Sequence, residues 1–331
     1  MATMEDVARV AGVSTTTVSH VLNGTRPVSD TTTARVMAAI GETGYSQNTI
    51  ARAMAGGRTQ SLGLAISGLA NPYFTDLIAS VEQAATRERH TLLLGDTHDD
   101  PEHELEIVRA LVERRVDGLL LAPSAGAADG ALRYLAGQSL PVVLIDRFAD
   151  GALDQIGSEN VEPTAQLVDH LAACGHARIG MVVGSPQLST TLERLAGYEL
   201  GLERNGMAFE PALIASGESR RAAAAEATRR LLDLDAPPTA LISANNAMTI
   251  GVLEALQGRG LKVPGDLALV AFDDFEWAEF FSPRLTVIAQ PVAELGEQAV
   301  ALLLSRLEDP TLEPRTIRLP ATFVHRDSCG C

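Results

Sequence analysis

From residue 61 onward, short unbroken apolar runs alternate with amphipathic stretches, and this alternation constrains the fold more than any other feature of the chain. The runs are "LGLAIS", "TLLLGDT", "DGLLLAP", "PVVLID", "RIGMVVG", "TALISA" and "LALVAFDD". A strand with one face in water alternates apolar and polar residues, whereas an unbroken run needs cover on both faces. The stretches between them, "EHELEIVRALVERRV" being the clearest, supply that cover as helices. The fold class is therefore α/β, built on doubly wound parallel sheets. The runs fall into two sets, roughly 61–160 and 161–289. Sheets of this kind bind ligands beyond the carboxyl ends of their strands. The polar residues at those ends include Asp96, Ser124, Asp146, Arg147, Asn245 and Asp273. Charged groups there also serve as helix caps or loop residues, and both readings stay open at this point.

The first 46 residues follow a different rule. Thr3 and Asp6 form a capping-box pair opening a helix that carries Val7 and Val10, and Ala11-Gly12 turns the chain. Ser14 caps a second helix with Val18, Val21 and Leu22 on one stripe. Ser29 caps a third, with Val36, Met37 and Ile40 as its apolar face, closed between Gly41 and Gly44. Helix, short turn, helix is the helix-turn-helix layout, whose second helix enters the DNA major groove. Thr15, Thr16, Thr17, Ser19, His20 and Asn23 are the candidate DNA-contacting residues of that helix. Small hydroxyl side chains permit close approach, and threonine methyls suit thymine methyls. A helical module serving only protein contact is the alternative.

Charge agrees with a local DNA site. Of 26 basic and 42 acidic residues, five arginines and four acids fall in residues 1–60, so this segment is +1 and the remainder −17. Phosphate is repelled by most of the molecule, which excludes nonspecific binding along its whole surface. With 331 residues, 46% apolar and 21% charged, the chain suits two or three globular domains. No run of 18 apolar residues marks a membrane span, and the absence of a signal-peptide layout points to the cytoplasm. Three cysteines fit a reducing compartment: Cys174 reads as a small buried residue, and Cys329 and Cys331 as a frayed tail, with metal binding or oxidation of that C-x-C as the lesser alternative. No P-loop or Ser/His/Asp arrangement points to an enzyme. In "HDDPEH", Asp and Pro start a helix whose histidines face solvent, so no metal and no cofactor are expected.

The segments "MEDVARVAGVSTTTVSHVLNGTRPVSDTTTARV" and "GYSQNTIARAMAGGRT", then "NPYF", "RRVDGLLLAPS", "VVLIDR", "GHARIGMVVG", "ERLAGY", "VAFDDF" and "VHRDS", occur in an order that resembles the lactose-repressor/galactose-repressor family of bacterial transcription regulators over nearly the whole chain. The resemblance implies a DNA-binding headpiece at 1–46, a hinge helix and linker at 47–60, and an effector-binding, dimerising core at 61–331. The core divides into subdomains of about 61–160 with 290–320, and 161–289 with 321–331, like periplasmic sugar-binding proteins. It implies a homodimer on double-stranded operator DNA, with Asn48, Ala51 and the wedge residue Met54 in the hinge. It also implies a small effector, most simply a sugar, held by Asp146, Arg194, Asn245 and Asp273, and the strand-end Asp96 and the aromatic Phe74 are added to these as candidate contacts. No C-terminal leucine heptad suggests a tetramer. Nucleobase or phosphoprotein co-repressors, and a solute-binding role, are the alternatives.

The chain departs from the family pattern at several positions. His20 stands where arginine is usual, giving one contact in place of a bidentate grip on guanine. Thr15 and Thr16 occupy the variable specificity pair. Ala244-Asn245-Asn246 replaces the usual Ala-Asn-Asp. Glu218 falls where an aromatic commonly stacks on the ligand, so stacking is expected from Phe74, Phe275 or Trp277.

Overall fold

A computed structural model of the chain describes residues 2–23, 26–45, 58–69 and 71–331. Asn48, Ala51 and Met54 lie outside the described residues. The chain divides into two units, Met1–Thr59 and Gln60–Cys331.

In the first unit, α1 (Met4–Ala11), α2 (Thr15–Asn23) and α3 (Asp30–Thr43) close a small core. The Thr3–Asp6 capping box is formed, Ser14 accepts from the Thr17 N–H, and Ser29 accepts from the Thr32 N–H. Gly12 ends α1 at φ 63°, a left-handed conformation that suits glycine. Val7, Val18 and Val36 are fully buried, and Val21, Leu22 and Ile40 pack around them. Two expected core residues are not inside: Val10 and Met37 are exposed, and Ala8, Ala11 and Ala39 fill the interior instead. The inward faces are Val7/Ala8/Ala11 and Val36/Ala39/Ile40, since i, i+3 and i+4 share a face. The small core is thus filled by valines at its centre with alanines beside them.

In the second unit the seven apolar runs form β1 (Ser61–Ile66), β2 (Thr91–Asp96), β3 (Gly118–Leu121), β4 (Val142–Ile145), β6 (Ile179–Val183), β8 (Ala240–Ser243) and β9 (Ala268–Phe272). Five further strands join them: β5 (Asp154–Ser158), β7 (Ile214–Ser216), β10 (Thr286–Ala289), β11 (Thr316–Leu319) and β12 (Thr322–Val324). One sheet runs β11-β5-β4-β3-β1-β2 and the other β12-β10-β9-β8-β6-β7. All neighbours are parallel except β10 and β12. The helices that matter here are α4 (Pro72–Arg87), α5 (Pro101–Glu113), α7 (Val161–Ala173), α8 (Ser189–Arg204), α10 (Asn246–Gly258) and α11 (Val292–Glu308), with α6 (Ala131–Ala136) and α9 (Arg221–Leu232) between them. Separate apolar clusters cover the two faces of the first sheet, and a larger one fills the second half.

The chain passes between the halves three times, after β5, after β10 and after β11. Helix α11 follows β10 of the second sheet but packs on α4 of the first half, and β12 returns to the second sheet. Among the described residues, no helix is long and apolar enough to cross a membrane.

The C-terminal tail is not frayed. Ser328 and Cys329 are fully buried, and Cys331 is disulfide-linked to Cys174, which is half-buried and is not a plain core residue. Ser328 holds the tail: its hydroxyl donates to the Leu269 carbonyl at 2.6 Å and accepts from the Thr286 N–H at 2.8 Å. In "HDDPEH", Asp100 caps α5 with Pro101 in its first turn.

Candidate functional site

The carboxyl ends of the central strands of both sheets open onto one cleft. Its empty space, open solvent at the mouth included, is about 640 Å³. Asp146 is the first residue after β4, and Asp273 the first after β9. Both are buried and both adopt positive φ, 70° and 78°. Each donates its backbone N–H at 2.9 Å to a neighbouring strand, Asp146 to the Ile156 carbonyl and Asp273 to that of Ile288. The left-handed turn stops the strand and leaves the carboxylate beyond the sheet edge. Aspartate and asparagine tolerate that conformation better than most residues.

Around Asp146, Tyr73 donates its hydroxyl at 2.5 Å and the Arg147 guanidinium lies 3.6 Å away. Arg147 is buried, bonds Asp99 at 2.5 Å and sits over the Phe74 ring. Burial raises the Asp146 pKa above the ordinary carboxylate value, against the pull of Arg147 and the Tyr73 bond. Burial also raises Tyr73 well above the usual phenol value, with the Asp146 charge adding to it. For Asp99, burial opposes ionisation, but the charge and hydrogen bond of Arg147 outweigh it and its pKa falls.

Around Asp273 the partners are amides: the Asn246 backbone N–H at 3.2 Å and the Gln290 side chain at 2.6 Å. Arg194, on α8, is also buried. It donates to Asn160 Oδ1 at 2.8 Å and to the Ala244 carbonyl at 2.5 Å, and stacks on Phe272 with 3.7 Å from guanidinium carbon to ring centre. Asn245 caps α10 by accepting from the Met248 N–H at 2.8 Å, and lines the same cleft.

Five of the six residues proposed from sequence thus line one cavity: Phe74, Asp146, Arg194, Asn245 and Asp273. Asp96 does not. It ends β2, an edge strand, and its carboxylate accepts from the His98 N–H at 3.0 Å in the following turn. Glu218 faces away, paired with Arg220, while Ser219 lines the cleft. Of the three stacking candidates only Phe74 reaches the cavity: Phe275 is in the core and Trp277 is exposed. Sequence reasoning did not select Tyr73 or Gln290, and left Arg147 among ordinary strand-end residues. The "NPYF" segment carried the signal for Tyr73, since Asn71 caps α4 and places Tyr73 in its first turn. Gln290, directly after a strand without an apolar run, gave none.

On α2, Thr15 and Thr16 are exposed, Ser19 and His20 are half-buried, and Thr17 shares a hydrogen bond with Ser14 at 2.9 Å. Thr17 therefore belongs partly to the helix start. Asn23 closes the helix, and its side chain lies outside the described residues.

Two family models match: "Bacterial regulatory proteins, lacI family" over residues 3–48, and "Periplasmic binding protein-like domain" over 168–329. The chain is 36% identical over 307 residues to the HTH-type transcriptional repressor PurR of Haemophilus influenzae (strain PittEE), covering 93% of this chain and 91% of that protein. It is 35% identical over 329 residues to the ribose operon repressor of Escherichia coli (strain K12), covering 99% and 100%. Its fold superposes on the lac repressor dimer bound to operator and the anti-inducer ONPF with a TM-score of 0.88, at 29% identity and 99% coverage of both chains. A helix-turn-helix unit joined to a two-sheet core with one cleft, matched end to end by these repressors, has one reading: the chain belongs to the lacI family of bacterial regulatory proteins and is a DNA-binding transcriptional repressor under effector control.

Proposed function

We propose that the effector is a sugar or sugar derivative that bridges the two halves of the core, with Asp146 on one side and Arg194, Asn245 and Asp273 on the other. The observation that carries this reading is the pair of buried carboxylates at equivalent strand ends facing one cavity with a buried arginine. Sugar hydroxyls both donate and accept, so carboxylates and a guanidinium fix their stereochemistry through charge-assisted bonds. The ribose and lac repressors among the similar proteins support the same class.

The headpiece would place α2 in the major groove, with Thr15, Thr16, Ser19 and His20 reading or positioning. A homodimer in the cytoplasm would bind a two-fold operator with half-sites about one helical turn apart. A nucleobase effector is the opposing arm of the test. In a thermal-shift screen of pentoses, hexoses, their phosphates and purine bases, the sugar reading expects a sugar to raise Tm, by the equivalent of about 2.7 kcal/mol at 100 times its Kd. A rise with purines alone replaces the sugar reading with a nucleobase effector.

A further inference from the structure

Away from the cleft, two segments of the second half bring five metal-ligating side chains to one point. His170 and Cys174 lie one turn apart on α7 and its C-cap, and His325, Cys329 and Cys331 come from the tail after β12. The ligand atoms of His170, His325, Cys329 and Cys331 all fall within 4.8 Å of one another. Cys331 Sγ is 3.3 Å from His170 Nε2 and 3.3 Å from Cys329 Sγ, and Cys329 Sγ is 3.3 Å from His325 Nε2. A tetrahedral zinc ion with bonds of about 2.0–2.1 Å to nitrogen and 2.3 Å to sulfur has edges of roughly 3.4–3.8 Å. Three of the six separations, at 3.3 Å, are close to that size, and the whole set lies within 4.8 Å.

The disulfide between Cys174 and Cys331 accounts for two of these side chains. It gives no reason for two imidazoles and a third sulfur to converge on the same point. The scaffold resembles that of a ligand set. Ser328 anchors the tail beside Cys329, the Thr286 hydroxyl lies 3.5 Å from the Cys329 sulfur as an outer hydrogen-bond donor, and Gly330 turns at φ 83° to bring Cys331 back. Two thiolates with two imidazoles in tetrahedral array select zinc over harder cations.

We propose that His170, His325, Cys329 and Cys331 form a Zn²⁺ site that fastens the C-terminal tail to α7, and that the Cys174–Cys331 disulfide is its oxidised, metal-releasing alternative. Reduction by a phosphine breaks the S–S bond. Phosphorus supplies two electrons and takes the oxygen of water, and the two protons of that water go to the Cys174 and Cys331 sulfurs. Zinc then displaces the thiol protons of Cys329 and Cys331 and binds both imidazoles in their neutral form.

The test uses untagged full-length protein, phosphine-reduced and anaerobic, titrated with Zn²⁺ against a chromogenic chelator. Co²⁺ serves as a second probe whose thiolate charge-transfer absorption reports sulfur ligands. Reduced wild type and Cys174→Ser are expected to hold one Zn²⁺ per chain, and oxidised wild type at least about ten-fold more weakly. Cys329→Ser and His325→Ala should lose more than the roughly 10–100-fold that removal of an outer partner costs. His325 is exposed, so His325→Ala separates loss of metal from loss of fold. Absence of Zn²⁺ binding by the reduced protein overturns the site. So does loss of binding in Cys174→Ser, or its retention in Cys329→Ser.

Discussion

The two halves of the core use the same backbone device and surround it with different chemistry. Each places an aspartate in a left-handed turn after the third strand from one sheet edge, β4 in one half and β9 in the other, and each bonds it to the next strand at 2.9 Å. Asp146 is then met by a phenol and a guanidinium, Asp273 by two amide groups. Strand ends of an open parallel sheet supply the geometry twice. Residues arriving from other elements, Tyr73 from α4 and Gln290 from the start of a crossover, make the halves unlike. A ligand seated between them meets two different faces, and this suits an asymmetric molecule such as a sugar in one orientation.

The largest effect is expected at Arg194, which ties the second half to the Asn160 crossover. Arg194→Ala leaves Asn160 Oδ1 and the Ala244 carbonyl without their charged donor and should destabilise the core by about 3–6 kcal/mol, at 1.5–3 per bond. Urea denaturation measures this, and a loss under 1 kcal/mol would mean that water replaces the arginine. Effector response should vanish in the same variant.

In the first half, Tyr73→Phe removes the donor to a buried carboxylate, for about 1–3 kcal/mol. Its counterpart in the second half, Gln290→Leu, removes a partner from a less enclosed position and should cost about 1 kcal/mol. Equal losses would remove the asymmetry drawn here.

The smallest effect is a pH dependence. Because the folded Asp146 pKa is raised by burial, the folded state holds this proton more tightly than the unfolded state. The group therefore lowers stability above its folded pKa, and the penalty fades as pH falls through that pKa toward the unfolded value. Asp146→Asn keeps an acceptor for Tyr73 and tolerates positive φ. Its stability relative to wild type should be greatest near neutral pH and shrink on acidification. Paired melts from neutral pH into the carboxylate range test this, and a difference that grows toward acid contradicts it.

The sequence made the sheets legible where strands are buried on both faces, since β1, β3, β4, β6, β8 and β9 are unbroken apolar runs. It concealed β5, whose "DQIGS" is buried as fully as any strand while carrying Asp154 and Gln155. Asp154 is held there by Arg306 at 2.8 Å, a residue 152 positions away, so no local pattern could announce it. The same limit applies to the cleft. Asp146, Asn245 and Asp273 were readable because strand ends are local features, whereas Asp96 looked equivalent and failed only because β2 lies at an edge. Pairing of the cysteine tail with α7 depends on β12 joining the second sheet, which three residues of strand do not reveal.

The central claim is that one effector spans both halves and thereby controls the headpiece. It is tested most directly by anisotropy of labelled operator, titrated with the sugar that raises Tm, in wild type, Asp146→Asn and Asp273→Asn. Both substitutions are compatible with the left-handed turn, so the scaffold is retained. A bridging ligand requires that each variant, in either half, need at least about ten-fold more sugar for the same change in operator affinity, the loss of about 1.4 kcal/mol of differential binding. If either variant responds at the wild-type sugar concentration, the effector does not span the cleft and the account is wrong.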